Sequence, residues 1–198
     1  MSTTKGFPLV AELKDAVDIL KMDKVKMATI ANKKSATKWG IVILAVPFVV
    51  NLVLSLLVYP SGFRAIFSKF LFWPVAIPML SLVGSIFAIS LVAEKFFKGK
   101  GSHMGFFRVA AYASLASWLS ILPFLLGLLG SIGGAGLASL LSLAVSIWIL
   151  FVMFNALMVL HKLNQQDATL SLVGGIIAYL IVQALLGAML VGGSYRYY

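Results

Sequence analysis

Four basic side chains, Lys95, Lys98, Lys100 and Arg108, fall within 14 residues, interleaved with Gly99, Gly101, Phe96, Phe97, Phe106 and Phe107. Glycines let backbone amides approach an anion closely. Aromatic rings can seat at headgroup depth in a bilayer, and each basic residue near an anionic surface contributes about 1 kcal/mol. The chemistry open to this segment is recognition of an anionic lipid headgroup or an acidic partner segment. The competing reading is that these charges only hold the loop on its own side of a membrane. Catalysis has no comparable set: the only acids after residue 23 are Glu94 and Asp167, and the only histidines are His103 and His161. They form no paired carboxylates and no metal-ligand spacing, and cysteine is absent. The sequence therefore predicts no enzyme, no cofactor and no metal site. Asp167 reads as a helix N-cap, Glu94 as an i,i+4 partner of Lys98, and both histidines as solvated or headgroup-bound side chains at interfaces.

The elements that must position these residues are set by composition. Of 198 residues 61% are apolar and only 11% charged, with a net charge of +10, against about 25% charged in soluble chains. Positive charge is concentrated in the first 38 residues and the loop above, which argues against a soluble enzyme. A nucleic-acid protein is also disfavoured, because no aromatics interleave with the basic tail as a stacking platform requires.

Five apolar runs of 21 to 24 residues, 39–59, 70–93, 109–129, 137–160 and 170–191, lack any charged residue or histidine. Each is long enough to cross a hydrocarbon core of about 30 Å, and in lipid such runs must be helical. The expected fold is all-α, a polytopic five-helix transmembrane bundle. The Gly-rich stretch 131–136 reads as a tight turn between the third and fourth spans. Thirteen Lys and Arg fall on the side of the tail and 3 on the other, which predicts a cytoplasmic N-terminus and an outside C-terminus.

Ahead of the first span, Leu9, Leu13, Ala16, Val17 and Leu20 follow helical periodicity. Acids lie early and lysines late, complementing the helix dipole. The sequence predicts one amphipathic helix from Pro8 to about Ala31, lying along the cytoplasmic interface with its stripe against lipid or the bundle. The domains are then a cytoplasmic tail (1–38), the bundle (39–191) and a short outside tail (192–198).

Polar content within the spans is mild. Asn51, Asn155 and Gln183 are candidates for bonds within the bundle, and small-xxx-small pairs such as Ala110–Ser114 and Ser142–Ser146 suit close helix packing. Trp118 and Trp148, near midspan, read as packing or lipid contacts. Pro74 and Pro78 should distort the second span, and broken helices can build transport sites. A small transporter or channel near that helix is thus the alternative function, weakened by the lack of a matching break elsewhere.

Residues 97–102, followed by Phe106-Phe107-Arg108-Val109 and Ala111-Tyr112-Ala113, resemble the signature of the Yip domain family, whose eukaryotic members are named for interacting with Ypt/Rab GTPases. Tyr59-Pro60 and the segment beginning His161-Lys162 also look like positions of prokaryotic members, so that Tyr59, Pro60, Gly99, Gly101, Tyr112 and His161 are the motif positions. The resemblance covers about residues 20–191. It implies an integral membrane adaptor or organiser without catalytic residues, in a prokaryotic cell membrane. Its partners would be anionic lipids and other membrane proteins or a second copy. The long cytoplasmic domain of eukaryotic relatives is not recognisable, so GTPase binding is not carried over.

Overall fold

The computed structural model describes residues 8–58, 69–122 and 134–192. Among these residues the elements are helices and no strand: α1 (Pro8–Leu20), α2 (Lys24–Asn32), α3 (Ala36–Val58), α4 (Lys69–Lys95), α5 (His103–Ala113), a 3₁₀ segment (Ser114–Ser120), α6 (Gly134–Leu160) and α7 (Gln165–Gly192). Stretches of three of them, Ala36–Leu54, Ser139–Leu160 and Gln165–Leu185, are long and apolar enough to cross a membrane. The Gly-rich turn expected at 131–136 ends earlier than the sequence suggests, because α6 already begins at Gly134. Residues 131–133, like Tyr59, Pro60, Pro123 and 193–198, lie outside the described residues.

Helix α4 continues through Pro74 and Pro78 to Lys95 without a break. It pairs along its length with α7. The pairing depends on Gly175, where a Cβ would overlap the Ile89 side chain, and on Gly174, where it would meet the Val92 methyls at 3.3 Å. Small residues thus bring two apolar helices to backbone-limited separation.

The third predicted span does not run as one α-helix. After Ala113 the backbone tightens into the 3₁₀ segment, and the serines there turn inward on the chain. Ser114 Oγ donates to Ala111 O at 2.6 Å and Ser117 Oγ to Ser114 O at 2.5 Å. Such i−3 bonds compete with the α-helical ladder and favour the tighter turn. Of the small-residue pairs expected to pack, Ala110 and Ser114 are buried, whereas Ser142 and Ser146 are exposed.

The tail forms two helices where the sequence predicts one. Helix α1 closes on a Schellman turn, with Asp23 N–H donating to Asp18 O at 3.2 Å and Met22 N–H to Ile19 O at 2.8 Å. Met22 takes the left-handed position usually given to glycine, with φ 62°. Asp23 then starts α2 by accepting from Val25 and Lys26 N–H at 2.9 and 3.0 Å, a strong N-cap that periodicity alone overlooks. The hairpin is clamped by Lys26–Asp15 at 2.7 Å and Lys33–Glu12 at 2.7 Å. The bond to Asp15 raises the Lys26 pKa above the ordinary lysine value.

Of the two placements expected for the tail, against lipid or against the bundle, the hairpin takes the second. Ala16, Ile19, Met27 and Ile30 are fully buried, against α5 and its neighbours. The buried line on α1 is Glu12, Ala16 and Ile19, rotated from the expected stripe so that Val17 remains exposed. Trp148 Nε1 donates to Leu20 O at 3.1 Å and Asn155 Nδ2 to the Met22 sulfur at 3.3 Å, tying α6 to the hairpin's turn.

Trp118 has a more specific task than packing. Pro47 has no N–H, so the carbonyl of Ile43, one turn earlier in α3, loses its helical donor. The Trp118 indole N–H supplies the missing bond at 2.9 Å. Trp118→Phe should therefore lower stability by about 1–3 kcal/mol, the cost of an unsatisfied buried acceptor. Pro47→Ala restores the backbone donor, so the double variant should recover part of that loss. Thermal melts of the four proteins in one detergent check this, and purely additive effects would refute the link.

Candidate functional site

The end of the bundle that carries the tail holds the polar side chains. Helix α4 stops at Lys95. The chain then passes through Lys98 in the left-handed region, φ 56°, and folds back so that Gly99 N–H donates to Ala93 O at 2.9 Å and Lys100 N–H to His161 O at 3.1 Å. The loop is wrapped around His161. A Cβ on Gly99 would lie 3.0 Å from His161 Nδ1, and one on Gly101 would lie 2.8 Å from Leu160 O and 2.9 Å from His161 Cγ. No larger residue fits either place without moving backbone. Ser102 then caps α5, accepting from Gly105 N–H at 2.9 Å.

Beneath the loop runs a chain of four side chains. Glu94 Oε2 lies 2.6 Å from His103 Nε2, His103 Nδ1 lies 2.8 Å from Ser90 Oγ, and Ser90 Oγ lies 3.0 Å from His161 Nε2. With both rings neutral, one assignment of protons satisfies every contact. His103 donates from Nε2 to Glu94, Ser90 donates to His103 Nδ1, and His161 donates from Nε2 to Ser90. That leaves His161 Nδ1 as a buried acceptor without a partner. The Phe106 ring meets His161 edge-on with centroids 5.8 Å apart.

A hydroxyl beside two imidazoles and a carboxylate is a familiar catalytic combination, but Ser90 is 0% exposed. A substrate cannot reach it, and the chain instead ties the ends of α4, α5 and α6 together. Burial, reinforced by His103, pushes the His161 pKa below its ordinary value, with Glu94 opposing.

These contacts reassign several residues. Glu94 pairs with His103, and its contact to Lys95 is only 4.0 Å, so the expected Lys98 pairing is replaced. Of the two histidines expected to be solvated, His161 is 1% exposed and packed inside, whereas the His103 side chain remains 36% exposed. The cap of α7 is Asn164, which accepts from Asp167 N–H at 2.8 Å, while Asp167 accepts from Asn164 Nδ2 at 2.9 Å. Arg108 is turned inward, donating to Thr37 Oγ1 at 2.8 Å and to Ala31 O at 2.6 Å. Tyr112 is buried and donates to Glu12 at 2.5 Å.

Lys95, Lys98 and Lys100 remain exposed. Lys98 and Lys100 border an open concavity of about 280 Å³ beside His161, together with Phe97, Lys162, Asn164 and Asp167. Lys162 was not among the sequence candidates. It joins them because α6 ends where the loop folds back, a proximity that spacing along the chain does not carry.

Asn155 and Gln183 bond to different partners: Asn155 to Met22 and to Phe151 O, and Gln183 to Tyr179 of its own helix at 2.9 Å. None of Asn51, Asn155 and Gln183 lines the open, mostly apolar concavity of about 370 Å³ whose wall includes Phe48, Leu82, Ser85, Ile89, Met153 and Tyr179.

A helical chain with several apolar helices of membrane-spanning length and a polar layer at one end is an integral membrane protein. A model of the Yip1 domain matches residues 24–188, and the chain belongs to that family. It is a family of membrane proteins not known as enzymes. Comparison with curated proteins and with solved structures gave no match.

His161 makes stability depend on pH. Its depressed pKa means the unfolded chain binds a proton between the ordinary value of about 6.5 and the lower folded value, so stability falls as pH drops through that window and levels off below it. Melting temperature should decline from pH 7.5 to 5, and less steeply in His161→Gln. Equal slopes in the two proteins would remove His161 as the cause.

Proposed function

We propose that the protein is a non-enzymatic membrane adaptor or organiser that contacts anionic lipids and other membrane proteins through its tail-side face. The observation that carries this reading is the locking of tail and basic loop into one surface. Arg108 on α5 binds the end of α2, His103 on the same helix binds α4, and Lys95, Lys98 and Lys100 are left facing outward. Rigid presentation of cations lowers the ordering cost of binding. Five spans are proposed from the five apolar runs, with the N-terminus in the cytoplasm and the C-terminus outside on the 13 to 3 division of basic residues, and a prokaryotic cell membrane as the location from the likeness to prokaryotic members. The transport alternative draws no support from Asn155 and Gln183, which bond to separate partners.

Reporters fused to the two ends should report opposite sides of the membrane, and the same side for both would break the five-span count. The contact surface is tested by titrating the detergent-solubilised protein with short-chain anionic phospholipids over a salt series. Lys98→Gln with Lys100→Gln should weaken binding by at least about tenfold and flatten the salt dependence, as expected for loss of two cations near an anion. Unchanged affinity and slope would leave the lysines a topological role only.

A further inference from the structure

The concavity bordered by Lys98, Lys100 and Lys162 rests on the anionic-lipid reading above and narrows it. Lys98 and Lys162 share an unusual backbone, each with φ 56°. That region penalises any residue with a Cβ, and glycine relieves the penalty. Stability alone favours glycine at both positions. The chain instead keeps an ammonium at each, and both side chains border the same opening.

Charge and depth say what the opening suits. Three lysines and Asp167 give it a formal charge of +2. A phosphate monoester carries about −1.5 to −2 near neutrality, whereas a phosphodiester, with one negative charge, leaves cation in excess. The apolar stretch of α6 ends at Leu160 and that of α7 begins at Gln165, and the opening is lined by residues from just these ends, including Lys162, Asn164 and Asp167. It therefore lies where the hydrocarbon gives way to headgroups. The neighbouring Phe97 ring suits the same depth.

We propose that this opening binds the phosphomonoester headgroup of a membrane lipid, with Lys98, Lys100 and Lys162 around the phosphate. The lysines recognise charge, and the membrane setting selects a lipid-borne phosphate over a free one.

The test uses the full chain in neutral detergent, titrated with dioctanoyl phosphatidate, dioctanoyl phosphatidylglycerol, glycerol 3-phosphate and a phosphoserine peptide. Phosphatidate should bind at least about tenfold more tightly than phosphatidylglycerol, as expected for one further charge-assisted contact, and more tightly than either soluble phosphate. Lys98→Gly with Lys162→Gly should cost roughly thirtyfold in phosphatidate affinity, two ammonium contacts' worth, while the melting temperature stays level or rises because the backbone strain is relieved. Several results would overturn the site. Phosphatidate affinity unaffected by the glycine pair removes it. Equal affinity for both lipids, lost together in the glycine pair, refutes the monoester assignment but spares the broader anionic-lipid reading. Glycerol 3-phosphate or the phosphopeptide binding as tightly as phosphatidate rules out a lipid source, and no binding of either lipid by the unaltered chain defeats both readings.

Discussion

Helix α5 has no free side. Eight of its eleven residues are buried, from Gly105 to Ala113 with only Arg108 interrupting, and α1, α2, α3, α4 and α6 all touch it. So many neighbours can approach one helix only if its side chains are small where backbones must come close. Ala110, Ala111 and Ala113 serve that purpose, and across from Ala111 the partner is Gly40, whose added Cβ would sit 3.0 Å from the Ala111 methyl. Phe106 and Phe107 fill the wider gaps, the latter stacked on Phe87 at 5.3 Å. The tail hairpin belongs to the packed core for the same reason: without it, one flank of α5 has no cover.

A helix buried on every side also decides what its polar residues can do. Tyr112 cannot reach bulk water from such a position and Arg108 is half-buried, and burying them without partners costs more than their bonds return. Partners are supplied by the tail: the Ala31 carbonyl for Arg108 and the Glu12 carboxylate for Tyr112. Glu12 in turn is balanced by Lys33 from α2. The acid that seems a solvated residue of an amphipathic helix is the counter-charge of the core.

The helical class and the apolar runs are legible in the sequence because periodicity and hydropathy are local properties. Residues 137–160 and 170–191 fall within α6 and α7, and the pattern 97–113 marks the segment that wraps His161 and forms α5. What hydropathy could not show is direction of burial. Glu12 and Val17 share a helix, yet the charged residue is the one inside, because Tyr112 and Lys33, distant along the chain, meet it there. Similarly, Ser90 and His161 are separated by 71 positions. The nearest local sign was Ser90 and Glu94 one turn apart on α4, with His103 beyond a turn containing Gly99 and Gly101. In sequence Gly99 and Gly101 are warranted by the resemblance and by close approach to an anion, and the His161 ring supplies a steric reason that spacing does not show.

The two polar clusters are mechanically joined, since His103 and Arg108 lie on successive turns of α5. His103 fastens that helix to Glu94 and Ser90, and Arg108 fastens it to the end of α2. An interior packed to near-crystalline density does not deform smoothly, so a shift of the 96–102 loop large enough to release His103 must also disturb α5, and with it the seat of the tail. Toward the far half, among the described residues, α6 and α7 present Leu140, Leu143, Leu180 and Leu185 outward, side chains suited to fluid lipid and without directional bonds to transmit a displacement. Energetic coupling between the basic loop and the tail thus runs through α5, whose small residues leave little slack for either cluster to move alone, and through α6, which meets the loop at His161 and the hairpin at Trp148 and Asn155.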